Sequence, residues 1–285
     1  MLLSTLPLYA LAAVAAILTI GTILGIYLNT IVIAIYWSDP TLRTRSTQLF
    51  LILAITDLTV GLTVGPFHIA PLLSERVATS KWYDKLRIFT TAATISMSVY
   101  TIVVIAFDRM MTLRRLNSPT LSAKQITLIV LGLLLIATAA PTCRLLPGHA
   151  AEIVYLTMAT CTAAISIGGV ITSYCVLIHI VRQHHLTPGV SHTERRTTQI
   201  TIRLTLTYII SLTPMIFYHL MRFTDRLPET TLDAIYAVAL IIISSTCYTN
   251  PWSYYFSNPT LRSTYVATVH RNQERSTRHR EAQLL

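Results

Sequence analysis

Seven long apolar stretches alternate with short polar connectors along this chain, at residues 8–37, 47–73, 88–113, 125–142, 153–181, 199–221 and 232–256. They lack the charged outer face that a helix of a soluble bundle carries opposite its apolar stripe. Hydrocarbon about 30 Å thick demands roughly 20 apolar residues per helical crossing, and each stretch is long enough for one. The connectors hold turn and breaker residues such as Asp39-Pro40, Ser118-Pro119, Pro147-Gly148, Pro188-Gly189 and Pro228. The pattern therefore predicts an all-α fold: seven membrane-spanning helices, here spans 1 to 7, within residues 1–256, and a cytoplasmic tail over 257–285. In that tail Leu261, Tyr265 and Val269 recur every four residues after Pro259, which predicts a short amphipathic helix over 259–269 lying on the membrane, followed by a disordered basic end. The first stretch reads as a span and not as a secretory signal, because it has no basic lead and exceeds the roughly 7 to 15 apolar residues of such a signal.

Composition supports the bilayer as solvent, since 53% of residues are hydrophobic and only 12% charged. Charge sets the orientation. Of the 22 Lys and Arg residues, 15 fall on one set of connectors and ends, including Arg43, Arg109, Arg195 and Arg271, and seven on the other. Cationic loops stay cytoplasmic, so the amino terminus is expected outside and the carboxyl terminus inside. Most of the net charge of +10 then faces anionic lipid headgroups or an acidic cytoplasmic partner, and nucleic acid is not implied. Cys143, Cys161, Cys175 and Cys247 all lie in or beside spans and suggest no disulfide framework. No asparagine is a glycosylation acceptor, because Asn117-Ser118 is followed by proline. His184, His185 and His192 in the longest inner connector read as solvated loop residues.

Chemistry inside the membrane centres on Asp57, the ionisable residue that stands alone in the middle of span 2. Such groups are costly in hydrocarbon and mark function by default. Asn29, Ser98, Ser245, Thr246 and Asn250 supply neutral oxygens in other spans, so Asp57 could hold a cation or a shared proton, or simply join helices by hydrogen bonds. An enzyme is not indicated, for no nucleophile and base or metal-ligand set occurs at chemical spacing. A small transporter or channel would also place an aspartate mid-membrane, but paired charges along a pathway and repeated broken helices are not visible.

At these residues the chain resembles the rhodopsin-like family of G-protein-coupled receptors. Asn29 matches its span 1 asparagine, Leu53-Ala54-Ile55-Thr56-Asp57 its span 2 motif, Asp108-Arg109-Met110 its Asp-Arg-Tyr motif, and Asn250-Pro251-Trp252-Ser253-Tyr254 its Asn-Pro-x-x-Tyr motif. The resemblance implies a sodium pocket of Asp57, Ser98 and Asn250, with sodium an allosteric modulator and not a cofactor. It further implies a pair between Arg109 and Glu194 that holds the inner ends of spans 3 and 6, inner tyrosines Tyr174 and Tyr254, and a kink at Pro214. By physical argument alone, opposite charges at two helix ends suit a two-state switch, biased by about 1 kcal/mol at a wet membrane edge. Release of that contact would let span 6 swing outward and admit a heterotrimeric G protein at the plasma membrane.

Departures from the family pattern bear on the ligand. Ser211-Leu212-Thr213-Pro214 lacks the aromatic residue of the span 6 motif, Ser166 stands where span 5 carries proline, span 4 has no tryptophan, and Asp84 replaces the cysteine of the outer disulfide. Thr91 occupies the aspartate position of amine receptors and Ser244 the retinal lysine of opsins, which speaks against both ligand types. Arg87, with Lys85 beside it, matches an arginine that reads phosphate in lysophospholipid receptors. An anionic lipid, a peptide, another small molecule and ligand-independent signalling all remain open. Arg87 could equally snorkel to lipid headgroups.

Overall fold

The structure is a computed structural model and describes residues 3, 5–40, 45–114, 122–146, 148, separate positions between 151 and 179, 192–224, 226–257 and 263. Side chains at 45–46, 112–114, 123, 144, 192–195, 223 and 256–257 fall outside that description. The helices are α1 (Leu8–Ser38), α2 (Arg45–Leu73), α3 (Glu75–Ala78), α4 (Lys81–Arg114), α5 (Ala123–Leu145), α6 (His192–Thr224) and α7 (Glu229–Ser257). Spans 1, 2, 3, 4, 6 and 7 correspond to α1, α2, α4, α5, α6 and α7, and these six are long and apolar enough to cross a membrane. Span 5 is described only in part. Its described residues are helical, Val176 packs beside Ala106, Met110 and Ile202, and Met158 Sδ lies 4.0 Å from Cys143 Sγ of α5. The expected helix over 259–269 lies outside the described residues except Ser263, which is helical.

Helix ends overshoot the apolar stretches because backbone hydrogen bonding continues into the headgroup layer after hydrocarbon ends. The clearest cases are α4, which starts at Lys81, so that the polar run Lys81–Asp84 forms its first turn, and α6, which starts at His192, so that this histidine is helical and not the loop residue the sequence suggested. The start of α5 is fixed by a capping box: Ser122 Oγ accepts from the Gln125 amide and Gln125 Oε1 accepts from the Ser122 amide. The short helix α3 was not legible in the pattern, since one turn has no periodicity to read.

Exposure is inverted relative to a soluble bundle. Leu135 and Ile20 are 72% and 66% exposed, while Asn29, Asp57, Ser98 and Asn250 are buried. Apolar outside and polar inside is the arrangement that lipid selects, and it decides against a soluble helical bundle.

Packing follows from small residues. Without a hydrophobic drive between helices in lipid, close backbone approach and hydrogen bonds hold the spans together. A Cβ placed on Gly65 of α2 would lie 2.0 Å from Thr22 Oγ1 of α1, and one on Gly25 of α1 would lie 2.6 Å from Cys247 Sγ of α7. These contacts seat α1 between α2 and α7. The largest buried cluster joins all six helices through Val32, Leu53, Ile102, Ile126, Leu204 and Tyr254.

Candidate functional site

Proline chemistry in α7 sets the centre of the bundle. Pro251 has no N–H, which frees the carbonyl of Cys247 one turn earlier. Asn29 of α1 meets it: Nδ2 donates to Cys247 O at 2.7 Å and to Gly25 O at 2.9 Å. Asn29 Oδ1 then accepts from Tyr254 Oη at 3.4 Å. One proline thus creates the acceptor that fixes a buried asparagine and, through it, the tyrosine of the same motif.

Asp57 lies beside this link at 1% exposure. Its Oδ1 accepts from Ser98 Oγ at 3.0 Å and its Oδ2 from Asn250 Nδ2 at 2.8 Å. Asn250 Nδ2 also stands 3.4 Å from Tyr208 Oη. Five helices therefore meet in one polar core, α1 through Asn29, α2 through Asp57, α4 through Ser98, α6 through Tyr208 and α7 through Asn250.

The donor set suits a small hard cation, which takes carboxylate, hydroxyl and amide oxygens. Because the amide nitrogen of Asn250 must face the carboxylate, its oxygen points elsewhere, and this buried Oδ1 has no hydrogen-bond partner among the described residues. An unpaired buried acceptor beside a carboxylate fits a bound cation or water. Asp57, Ser98 and Asn250 would hold sodium, whose charge would offset that of Asp57.

At one end of the bundle, Asp108 and Arg109 are 2% and 5% exposed and form an ion pair. Glu194 belongs to the first turn of α6, but its side chain lies outside the described residues, so the predicted contact with Arg109 is not placed. Pro214 lies within α6, where Thr213 Oγ1 donates to Ile209 O at 2.7 Å. Tyr174 is helical and half-buried.

At the opposite end Arg87 is 4% exposed. Its guanidinium pairs with Asp84 and stands 3.4 Å from Tyr236 Oη of α7. Asp84, which occupies the place of a family cysteine, thus turns the arginine one turn later toward α7. Lys85 instead donates to the carbonyls of Leu145 and Leu146 at 3.2 and 3.5 Å, closing the end of α5, where carbonyls lack helical partners. Thr91 Oγ1 is 3.1 Å from His68 Nε2.

Three residues here escaped the sequence reading. His68 is a buried ionisable residue of α2, so Asp57 does not stand alone in that span, and the same rule of membrane cost would have flagged it. Tyr236 gave no signal as one of many tyrosines. Tyr208 follows Leu204 by four residues, a spacing that shares one helix face, but a hydroxyl in an apolar run does not disclose what it meets.

Residues 28–146 match the family model described as 7 transmembrane receptor (rhodopsin family). The fold superposes on the crystal structure of squid rhodopsin with a TM-score of 0.77 and 18% identity, over 92% of this chain and 81% of that one. In sequence, residues 28–146, from within α1 to just past α5, are similar to the rhodopsin family of seven-transmembrane receptors, and over the rest of the chain the likeness to squid rhodopsin is one of fold alone. Its six described helices of membrane-crossing length and apolarity mark it as a multi-pass membrane protein.

Proposed function

We propose that this protein is a G-protein-coupled receptor of the plasma membrane, with its amino terminus outside, and that outward movement of span 6, counted as the sixth of seven spans, opens an inner cleft for a heterotrimeric G protein. The observation that carries this reading is the polar core in which Tyr208 of α6 shares the Asn250 amide with Asp57. A long hydrogen bond between a moving helix and its neighbours has two natural states, made and broken, and a ligand shifts the balance by favouring one. Pro214, six residues away in α6, supplies the weak point in the backbone about which the inner segment turns.

The inner trigger is Arg109, with Glu194 as its partner across the cleft, and Tyr174 and Tyr254 approach one another once span 6 has moved. The ligand reaches Arg87 and Thr91 from the outer side. An anionic headgroup suits Arg87, since a guanidinium binds phosphate or carboxylate through two hydrogen bonds, and it would enter by exchange with Asp84. Sodium at Asp57 would favour the resting state.

A G-protein activation assay in cells tests the reading with wild type, Arg109→Ala and Glu194→Ala at matched surface expression. Arg109→Ala should abolish coupling and Glu194→Ala should raise ligand-free activity. Unaltered signalling in both variants would overturn the switch.

A further inference from the structure

Leu3 and Thr5, described residues before α1, lie against the bundle. Leu3 is 2% exposed and belongs to the buried cluster of Val14, Leu18, Tyr218, Leu232, Tyr236 and Leu240 at the Arg87 end. Its backbone has φ 60, a left-handed conformation that suits glycine and that leucine seldom adopts. A bulky residue held in that conformation needs surrounding contacts to keep it there. A turn follows, with the Leu6 amide donating to Leu3 O at 3.2 Å.

Asp233 of α7 supplies the anchor. Its Oδ1 accepts from the Leu3 amide at 3.3 Å, and its Oδ2 accepts from the Thr5 amide at 3.1 Å and from Thr5 Oγ1 at 2.7 Å. Two main-chain amides and a hydroxyl converge on one carboxylate that is itself 8% exposed. This is how a protein captures a peptide backbone, with the neighbouring apolar pocket reading a side chain. Tyr236 belongs to the buried cluster that takes Leu3 and also meets Arg87, so Leu3 and Arg87 adjoin the same tyrosine.

We propose that Asp233 and the tyrosine-lined cluster beside it form a peptide-binding site and that the chain's own Leu3, Thr5 and Leu6 are its tethered occupant, seated by Leu3 among the tyrosines and held by Asp233. This rests on the receptor reading only for its consequence: an outside ligand bound at Arg87 competes with the segment or closes over it. The seat itself is independent of any G protein.

Two binding measurements on the full-length protein in lipid nanodiscs test it. In the first, Leu3→Cys is treated with a membrane-impermeant maleimide, with the unsubstituted protein as background and Arg226→Cys, in the exposed connector before α7, as the reference for free access. Leu3→Cys should label at least about tenfold more slowly than the reference, because burial leaves only the opened fraction reactive. Adding Asp233→Ala should bring it close to the reference rate. Labelling of Leu3→Cys at the reference rate with Asp233 intact would overturn the proposal. In the second, a fluorescent peptide with the sequence of residues 1–7 is titrated onto wild type, Leu3→Asp and the milder Leu3→Ser. Saturable binding to a Leu3 variant, weak in wild type and lost on adding Asp233→Ala, is the expected result. No binding to any variant, or binding indifferent to Asp233, would overturn it. Failure of the receptor reading shows elsewhere, as signalling unchanged by Arg109→Ala, while both of these readouts stand.

Discussion

The amide of Asn250 is shared between two partners on different helices, Asp57 Oδ2 at 2.8 Å and Tyr208 Oη at 3.4 Å. The short bond runs to a carboxyl group in α2 and the long one to a phenol in α6. A longer hydrogen bond is the weaker one, so strain on this amide is relieved first at Tyr208. The division puts the longer of this amide's two bonds on α6, the helix that family resemblance singles out as mobile.

Tyr208→Phe removes that link and leaves the ring in place. A net hydrogen bond contributes about 1 kcal/mol, which corresponds to roughly a fivefold change in a two-state balance. Ligand-free G-protein activation should rise by about that factor at equal surface expression. A fall, or no change, would show that the hydroxyl does not restrain α6.

Sodium should stabilise the protein through Asp57. A ligand that binds the folded state raises its unfolding temperature with concentration. Purified protein should unfold at a higher temperature in sodium chloride than in an equal concentration of a bulky organic chloride, and Asp57→Asn should erase that difference. The same sodium dependence in both proteins would remove Asp57 as its site.

Asp84→Ala should destabilise the outer end, because it leaves the buried Arg87 guanidinium with Tyr236 but without its carboxylate. Loss of a fully buried partner costs about 3–5 kcal/mol, but the Asp84 side chain is 48% exposed and water screens the pair, so about 1 kcal/mol is expected. A single-chain phosphate lipid should recover the lost unfolding temperature in Asp84→Ala more than it stabilises wild type. Equal effects on both would argue against anion exchange at Arg87.

Gly65→Ala tests the seating of α1. The added Cβ meets Thr22 Oγ1 at 2.0 Å and Thr22 Cβ at 3.0 Å. Overpacking of this kind costs about 1–3 kcal/mol, so the yield of folded, membrane-inserted protein should drop. Thr22→Ala, which removes the two nearest atoms, should restore part of it. Undiminished yield from Gly65→Ala alone would mean that α1 shifts freely against α2.

Much of the architecture was legible because lipid imposes a simple rule. Backbone groups in hydrocarbon must bond within their own helix, so length and apolarity alone located the six described spans to within a few residues at most ends. The exceptions, α4 and α6, began earlier than their apolar stretches because hydropathy reports the edge of hydrocarbon and not the end of a helix. The polar cost rule found Asp57, and the ordered motifs directed attention to Asn29, Ser98, Arg109 and Asn250.

The sequence by itself determined which residues had to be buried in helices, since membrane cost and proline chemistry act on single residues and their near neighbours. Only the tertiary structure decided which of those residues meet. Tyr208 joins Asp57 through an amide 42 positions further along the chain, Arg87 turns to Tyr236, and Leu3 is held by a carboxylate 230 residues away. Such pairings depend on helix rotation and tilt, which are set by close contacts such as Gly65 against Thr22. A one-dimensional pattern of apolar and polar residues carries the requirement for a partner but not its address.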